Sequence, residues 1–147
     1  MTRGRDESGT ALVEFTWLSI LLLVPLLYVV LAVFEVQRSA FAVNAASRAA
    51  GRAYTLAPSQ GEAVARARAA AEVALRDQGL TLADARLETG CEPDPDDCLS
   101  PGSVIHVRMT CGVTLPLMPD ALGGNAPSVR VAAEHIVPYG TFREDRS

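Results

Sequence analysis

At 147 residues with a membrane-length apolar run near its start, the chain has room for one modest exported domain. Its formal charge of −4, with no dominant basic patch, argues against a nucleic-acid partner. Aromatic residues make up only 5% of the chain and alanine is abundant, so any soluble core is small and alanine-lined, with limited hydrophobic driving force.

Residues 1–9 are short, polar and of mixed charge. Gly9-Thr10-Ala11-Leu12-Val13-Glu14-Phe15 then opens an otherwise uncharged run to Phe34. About 20 apolar residues suffice to cross the hydrocarbon core as a helix. A carboxylate at the head of such a run is costly in lipid and calls for a functional explanation. Pro25 removes one backbone hydrogen bond and is expected to kink the helix, which membrane helices tolerate. Arg3 and Arg5 on one side and Arg38, Arg48 and Arg52 on the other do not decide orientation. A short leader and a larger C-terminal domain with possible disulfides favour an N-terminus inside.

Helical character continues past Phe34. Val36, Ala40, Val43, Ala50 and Tyr54 recur at helical spacing, with Gln37, Arg38, Asn44, Arg48 and Arg52 on the opposite arc. The whole predicts a rod of roughly 65 Å at 1.5 Å per residue, ended by Pro58. Phe41 falls on the polar arc, where an exposed aromatic marks a packing surface. Arg48 and Arg52 read as a solvated stripe in an isolated chain. In a filament they read as a contact for acidic groups, such as Glu35 of a neighbour.

Ser59-Gln60-Gly61-Glu62 reads as a capping box for a second helix. Its apolar stripe is Val64, Ala67, Ala71 and Leu75, and Gly79 serves as C-terminal cap. The period then changes to two. Ala85–Thr89 is a short strand. Val104–Val113 is a longer one with Ile105, Val107, Met109 and Cys111 inward. Val129–Val137 alternates with Val129, Val131, Ala133 and Val137 on one face. Leu115–Pro127 reads as a Pro/Gly-rich loop, and the tail after Tyr139 as frayed. The expected fold class is α+β: a long transmembrane and amphipathic helix, a second short helix and a small three-stranded antiparallel sheet. The expected organisation is a leader over 1–9, a membrane helix over 10–35, an amphipathic extension over 36–57 and an exported domain over 58–147.

Cys91 and Cys98 bracket a short acidic loop, and in an exported domain a bridge between them is expected. Cys111 reads as a small buried hydrophobe. The carboxylates of Glu92, Asp94, Asp96 and Asp97 invite comparison with a calcium loop. However, the spacing is not that of an EF-hand, two prolines stiffen it and the turn glycine is missing. His106 and His135 fall on different strands, with no second histidine at ligand spacing. No nucleophile elbow, phosphate loop or zinc-protease helix occurs. The chain is therefore expected to have no catalytic residues, no metal, no cofactor and no small-molecule substrate.

Three stretches carry a resemblance to a known family: Ser8-Gly9-Thr10-Ala11-Leu12-Val13-Glu14-Phe15, then Val33-Phe34-Glu35-Val36-Gln37-Arg38, then Asn44-Ala45-Ala46-Ser47-Arg48-Ala49-Ala50-Gly51-Arg52-Ala53. In order and spacing they resemble the TadE-like family, the pseudopilins of tight-adherence (Flp-type) pilus systems. The likeness covers roughly the first 55 residues, and beyond them only the helix-then-strands plan matches. It implies a structural subunit in the cell membrane, N-terminus cytoplasmic, with the C-terminal domain outside. It also implies cutting by a prepilin peptidase after Gly9, leaving Thr10 as the new N-terminus. A neighbour's Glu14 would then neutralise the Thr10 amine and set register, with other pilins and the assembly machinery as partners. The soluble domain suits a minor pilin or assembly factor, since Flp-type major pilins carry little beyond the helix. Two rivals share the apolar helix: an unprocessed single-pass anchor for an envelope domain, and a secreted binding domain released by ordinary signal peptidase. The latter requires a small-residue cutting site just after the apolar run, where Glu35-Val36-Gln37-Arg38 stands instead, and the first comfortable site of that kind lies beyond Phe41.

Overall fold

The computed structural model describes residues 8–114 and 128–146. The expected loop Leu115–Pro127 and most of the expected leader lie outside the described residues. The architecture is α+β, with elements α1 (Ser8–Thr55), α2 (Gln60–Arg76), β1 (Ala85–Glu92), β2 (Val104–Thr114) and β3 (Ser128–Pro138). The three strands form one antiparallel sheet in the order β1-β2-β3.

α1 is a single helix of 48 residues that runs through Pro25. At 1.5 Å per residue it is about 72 Å long, more than twice the hydrocarbon thickness of a bilayer. Its far half is built from small residues. Ser39, Ala42, Val43, Ala46, Ser47, Ala50, Gly51, Tyr54 and Thr55 are buried, whereas Ala40, expected inward, is exposed. The buried arc is wider than one stripe because α1 has two neighbours: it packs on α2 and also lies over β2 and β3. Gly51 lets α1 lie close on the sheet. A Cβ there would stand 2.7 Å from Val137 Cγ2 and 3.1 Å from His135 Cδ2.

α2 runs back along α1 and buries Ala63, Ala67, Ala71 and Leu75. The expected stripe is thus corrected at its first member. Val64 is 51% exposed, because the i, i+4 row that meets α1 starts one residue earlier. The capping box is also corrected. Ser59 has extended backbone angles suited to an N-cap, but its side chain makes no cap hydrogen bond, and Glu62 instead pairs with Arg66 at 3.1 Å. The other end forms as expected. Gly79 sits at φ +73°, Gly79 N–H donates to Arg76 O and Leu80 N–H donates to Leu75 O, the paired closure of a Schellman motif.

In the sheet, β2 buries Ile105, Val107, Met109, Cys111 and Val113 against the helices. β1 is longer than expected, pairing from Ala85↔Cys111 to Glu92↔Val104, so Cys91 belongs to the strand. On β3 the half-buried residues are Val131, Ala133, His135 and Val137, while Val129 is exposed near the strand's end.

The tail is not frayed. Arg143 Nη1 donates to Thr55 O at 2.9 Å and Arg146 Nη1 donates to Ala57 O at 3.1 Å. Arg146 N–H also donates to Leu99 O, and the buried Tyr139 hydroxyl donates to Glu144 O. These guanidiniums satisfy carbonyls at the C-terminus of α1, where the helix dipole favours positive charge. Removing both, as Arg143→Ala with Arg146→Ala, is expected to cost about 2 kcal/mol. It should also speed amide exchange over Tyr54–Ala57. Unchanged exchange there would reduce the tail to an incidental covering.

Candidate functional site: the apolar helix and its edge

Among the described residues the near half of α1 has no partner. An 18-residue window of mean hydropathy 2.7 lies within Ala11–Thr55, and none of that window is buried. Phe15 is 69% and Leu22 72% exposed, and the other large apolar residues from Leu12 to Phe34 are exposed as well. The core helix of a soluble domain would be covered by its own chain; none of the described residues covers this one. It is a helix long and apolar enough to span a membrane.

Gly9 and Thr10 belong to the first turns of α1. Glu14 stands exposed one turn further on, beside a shallow groove shared with Ala11, Phe15, Trp17, Leu18 and Leu21. Among the described residues no cation pairs with it. Thr16 satisfies its own hydroxyl by donating to Leu12 O at 2.8 Å, a bond within the helix that asks nothing of a solvent.

Where the apolar half ends, α1 is fastened to the domain. Arg38 Nε and Nη2 both donate to Gln78 O, at 2.9 and 2.6 Å. The same guanidinium lies 3.9 Å from Glu35. A cation at the C-terminus of α2 meets both an otherwise unpaired carbonyl and the negative end of the helix dipole. Arg38 therefore does more than line the solvated arc: it holds the last turn of α2 against α1 at the edge of the apolar segment. Sequence reading missed this role, as it missed those of Arg143 and Arg146. The signal in each case is an arginine whose partner is a helix end remote in sequence.

The remaining expected sites do not converge. Cys91 and Cys98 are joined by a disulfide closing a loop of sequence separation 7. Among the described residues no group of three or more histidine, cysteine or carboxylate side chains is placed to hold a metal ion. His106 and His135 lie on opposite faces of the sheet. His106 Nδ1 stands 3.5 Å from Glu134 on the outer face, and His135 packs toward Gly51 on the inner one. Cys111 is a buried free thiol. Burial, and secondarily the charge of Asp84, push its pKa up and keep it neutral and inert. Burial likewise raises the pKa of Tyr54, whose hydroxyl accepts a hydrogen bond from Gln60 Nε2 at 3.3 Å. A shallow groove on the outer sheet face is lined by Arg86, Arg108 and Arg130 over Thr110, Gly112 and Ala132, but Asp84 and Glu88 share it.

A single helix carries an acidic residue at its apolar head, a guanidinium clamp at its middle and a small-residue face that seats a domain. Compared with protein families, with curated proteins and with solved structures, the chain matches none.

Proposed function

We propose that the chain is a TadE-like pseudopilin, a non-catalytic membrane subunit of a tight-adherence type IV pilus assembly system. In this reading a prepilin peptidase cuts after Gly9, the domain lies outside the cell membrane, and Glu14 receives the new amine of a neighbouring Thr10. Two costly charges then become one pair as subunits assemble. The observation that carries the reading is the continuity of α1, a helix whose apolar half is wholly uncovered and whose other half is the spine of a folded domain. A subunit stored in lipid and drawn into a filament needs such a shared element, because helix packing replaces lipid without refolding the domain.

The same continuity weighs against release by signal peptidase. Cutting beyond Phe41 would sever α1 and remove Ser39, which is fully buried, together with the Arg38 clamp on Gln78. An uncut single-pass anchor remains the rival, since it requires the same helix.

Glu14→Ala separates the two. As a pseudopilin, the variant is expected to reach the membrane at normal level, be cut normally and fail to co-purify with its pilus system, by tenfold or more as a rough scale for loss of a buried charge partner. Normal co-assembly of the variant would remove the register role.

A further inference from the structure

On the far half of α1, the face turned away from α2 and the sheet carries Phe41, Ala45, Arg48 and Arg52. Their i, i+4, i+7, i+11 spacing makes one stripe, and all four are exposed, Phe41 at 73%. Neither arginine has an anionic partner among the described residues. A cationic stripe with an uncovered aromatic at one end is a surface lacking a carboxylate-bearing partner.

The chain itself supplies candidates, and five of its glutamates already face a basic side chain. Glu35 pairs with Arg38, Glu62 with Arg66, Glu72 with Arg76, Glu88 with Arg86 and Glu134 with His106. Glu92, Asp94 and Asp96 are exposed, with Asp97 beside them, on the loop closed by Cys91–Cys98, and among the described residues no cation pairs with them. The disulfide holds this cluster in shape, so little ordering entropy is lost on docking.

The fold keeps the two patches of one copy apart while placing them near the same height. Cys91 faces Ile105, Ile105 faces Val137, and Val137 is the side chain nearest Gly51, so the base of the loop is near the level of Gly51 and Arg52. The loop leaves the sheet between β1 and β2, whereas α1 lies over β2 and β3. The acidic loop of one copy therefore does not reach its own stripe, but that of a neighbour standing upright in the same membrane does.

We propose that the occupant of the α1 stripe is a second copy of this chain, whose Cys91–Cys98 loop sets its carboxylates against Arg48 and Arg52. Because the two patches differ, the contact is head-to-tail. Repetition gives a ring or an open helical row and not a closed two-fold pair. This deepens the pseudopilin reading and rests on it for its biological setting, though the contact itself does not require a cut at Gly9.

The test uses the full chain in native membranes with p-benzoylphenylalanine in place of Ala45. Irradiation is expected to give a crosslinked dimer whose junction peptide contains residues 92–97. Arg48→Glu with Arg52→Glu in the probe-bearing chain should lower the yield roughly tenfold, attraction having become repulsion. Co-expression with a copy carrying Asp94→Arg and Asp96→Arg should restore it. A junction elsewhere, the absence of dimer, or a yield indifferent to both reversals would overturn the contact. The N-terminus of the same sample is sequenced in parallel. A loop junction in chains not starting at Thr10 defeats the pseudopilin reading and leaves the contact standing, and the converse pattern does the reverse.

Discussion

Gly51→Leu is expected to destabilise the full chain in detergent by about 3 kcal/mol, the upper part of the range for overpacking a filled site. The argument begins with what glycine does in the middle of a helix, where it costs about 1 kcal/mol relative to alanine. Gly51 is offset by proximity: Val137 Cγ2, His135 Cδ2 and Val107 Cγ2 would stand 2.7, 3.1 and 3.7 Å from a Cβ, so the helix backbone lies close on β2 and β3. Val137 is β-branched and stiff about χ1, so it yields poorly. Leucine adds three further carbons in that direction and must push α1 off the sheet. Alanine already brings a Cβ to 2.7 Å from Val137 Cγ2 and is expected to destabilise by about 1 kcal/mol, its helix propensity offsetting only part of the strain. Gly61, in α2, supplies the contrast. Nothing stands within 4 Å of a Cβ there, and Gly61→Ala should stabilise by about 0.5–1 kcal/mol. Thermal unfolding of the three variants side by side checks the ranking; equal behaviour of Gly51→Leu and wild type would mean that α1 does not seat on the sheet here.

Leu75→Ala is the second large effect, at about 3 kcal/mol. The core between α1 and α2 is mostly alanine: Ala42, Ala46 and Ala50 meet Ala63, Ala67 and Ala71. Such faces let the helices approach closely but bury little apolar area per residue. Leu75 is the one large side chain among the buried residues of α2, and it is fully covered. It occupies the last turn, where its carbonyl also accepts the Leu80 N–H of the Schellman closure. Truncating it opens a cavity beside the Arg38–Gln78 clamp, so the fastening of α1 at the edge of its apolar half should loosen as well. For a domain of this size each kcal/mol moves the unfolding midpoint by about 4–8 °C. A shift below about 2 °C would show that the helices are held by something other than this contact.

The plan of the fold was legible because its periodicities are strong. The 3.6-residue pattern marks both helices, the change to period two marks the strands, and Gly79 marks the end of α2. What escaped reading shares one physical cause: it depends on neighbours remote in sequence. Ala63 and Val64 are both apolar and adjacent in the sequence, and only the placement of α1 decides which is covered. Ser59 and Glu62 have the chemistry of a capping box, but Arg66, one turn on, takes the carboxylate. A tail of polar residues reads as loose until Arg143 and Arg146 are seen to reach Thr55 and Ala57. Arg38 looked like a solvated charge because Gln78 is forty residues away. Of the candidate site, the apolar run and the odd position of Glu14 can be read directly. The uncovered state of that run cannot, since a buried helix of the same composition would read identically.

Processing as a pilin and mere insertion as an anchor leave different N-termini, which the intact mass and N-terminal sequence of the protein from native membranes distinguish. A processed pseudopilin starts at Thr10. A chain in which residues ahead of Gly9 remain would contradict that reading and leave a membrane anchor, and a start beyond Phe41 would make it a released domain.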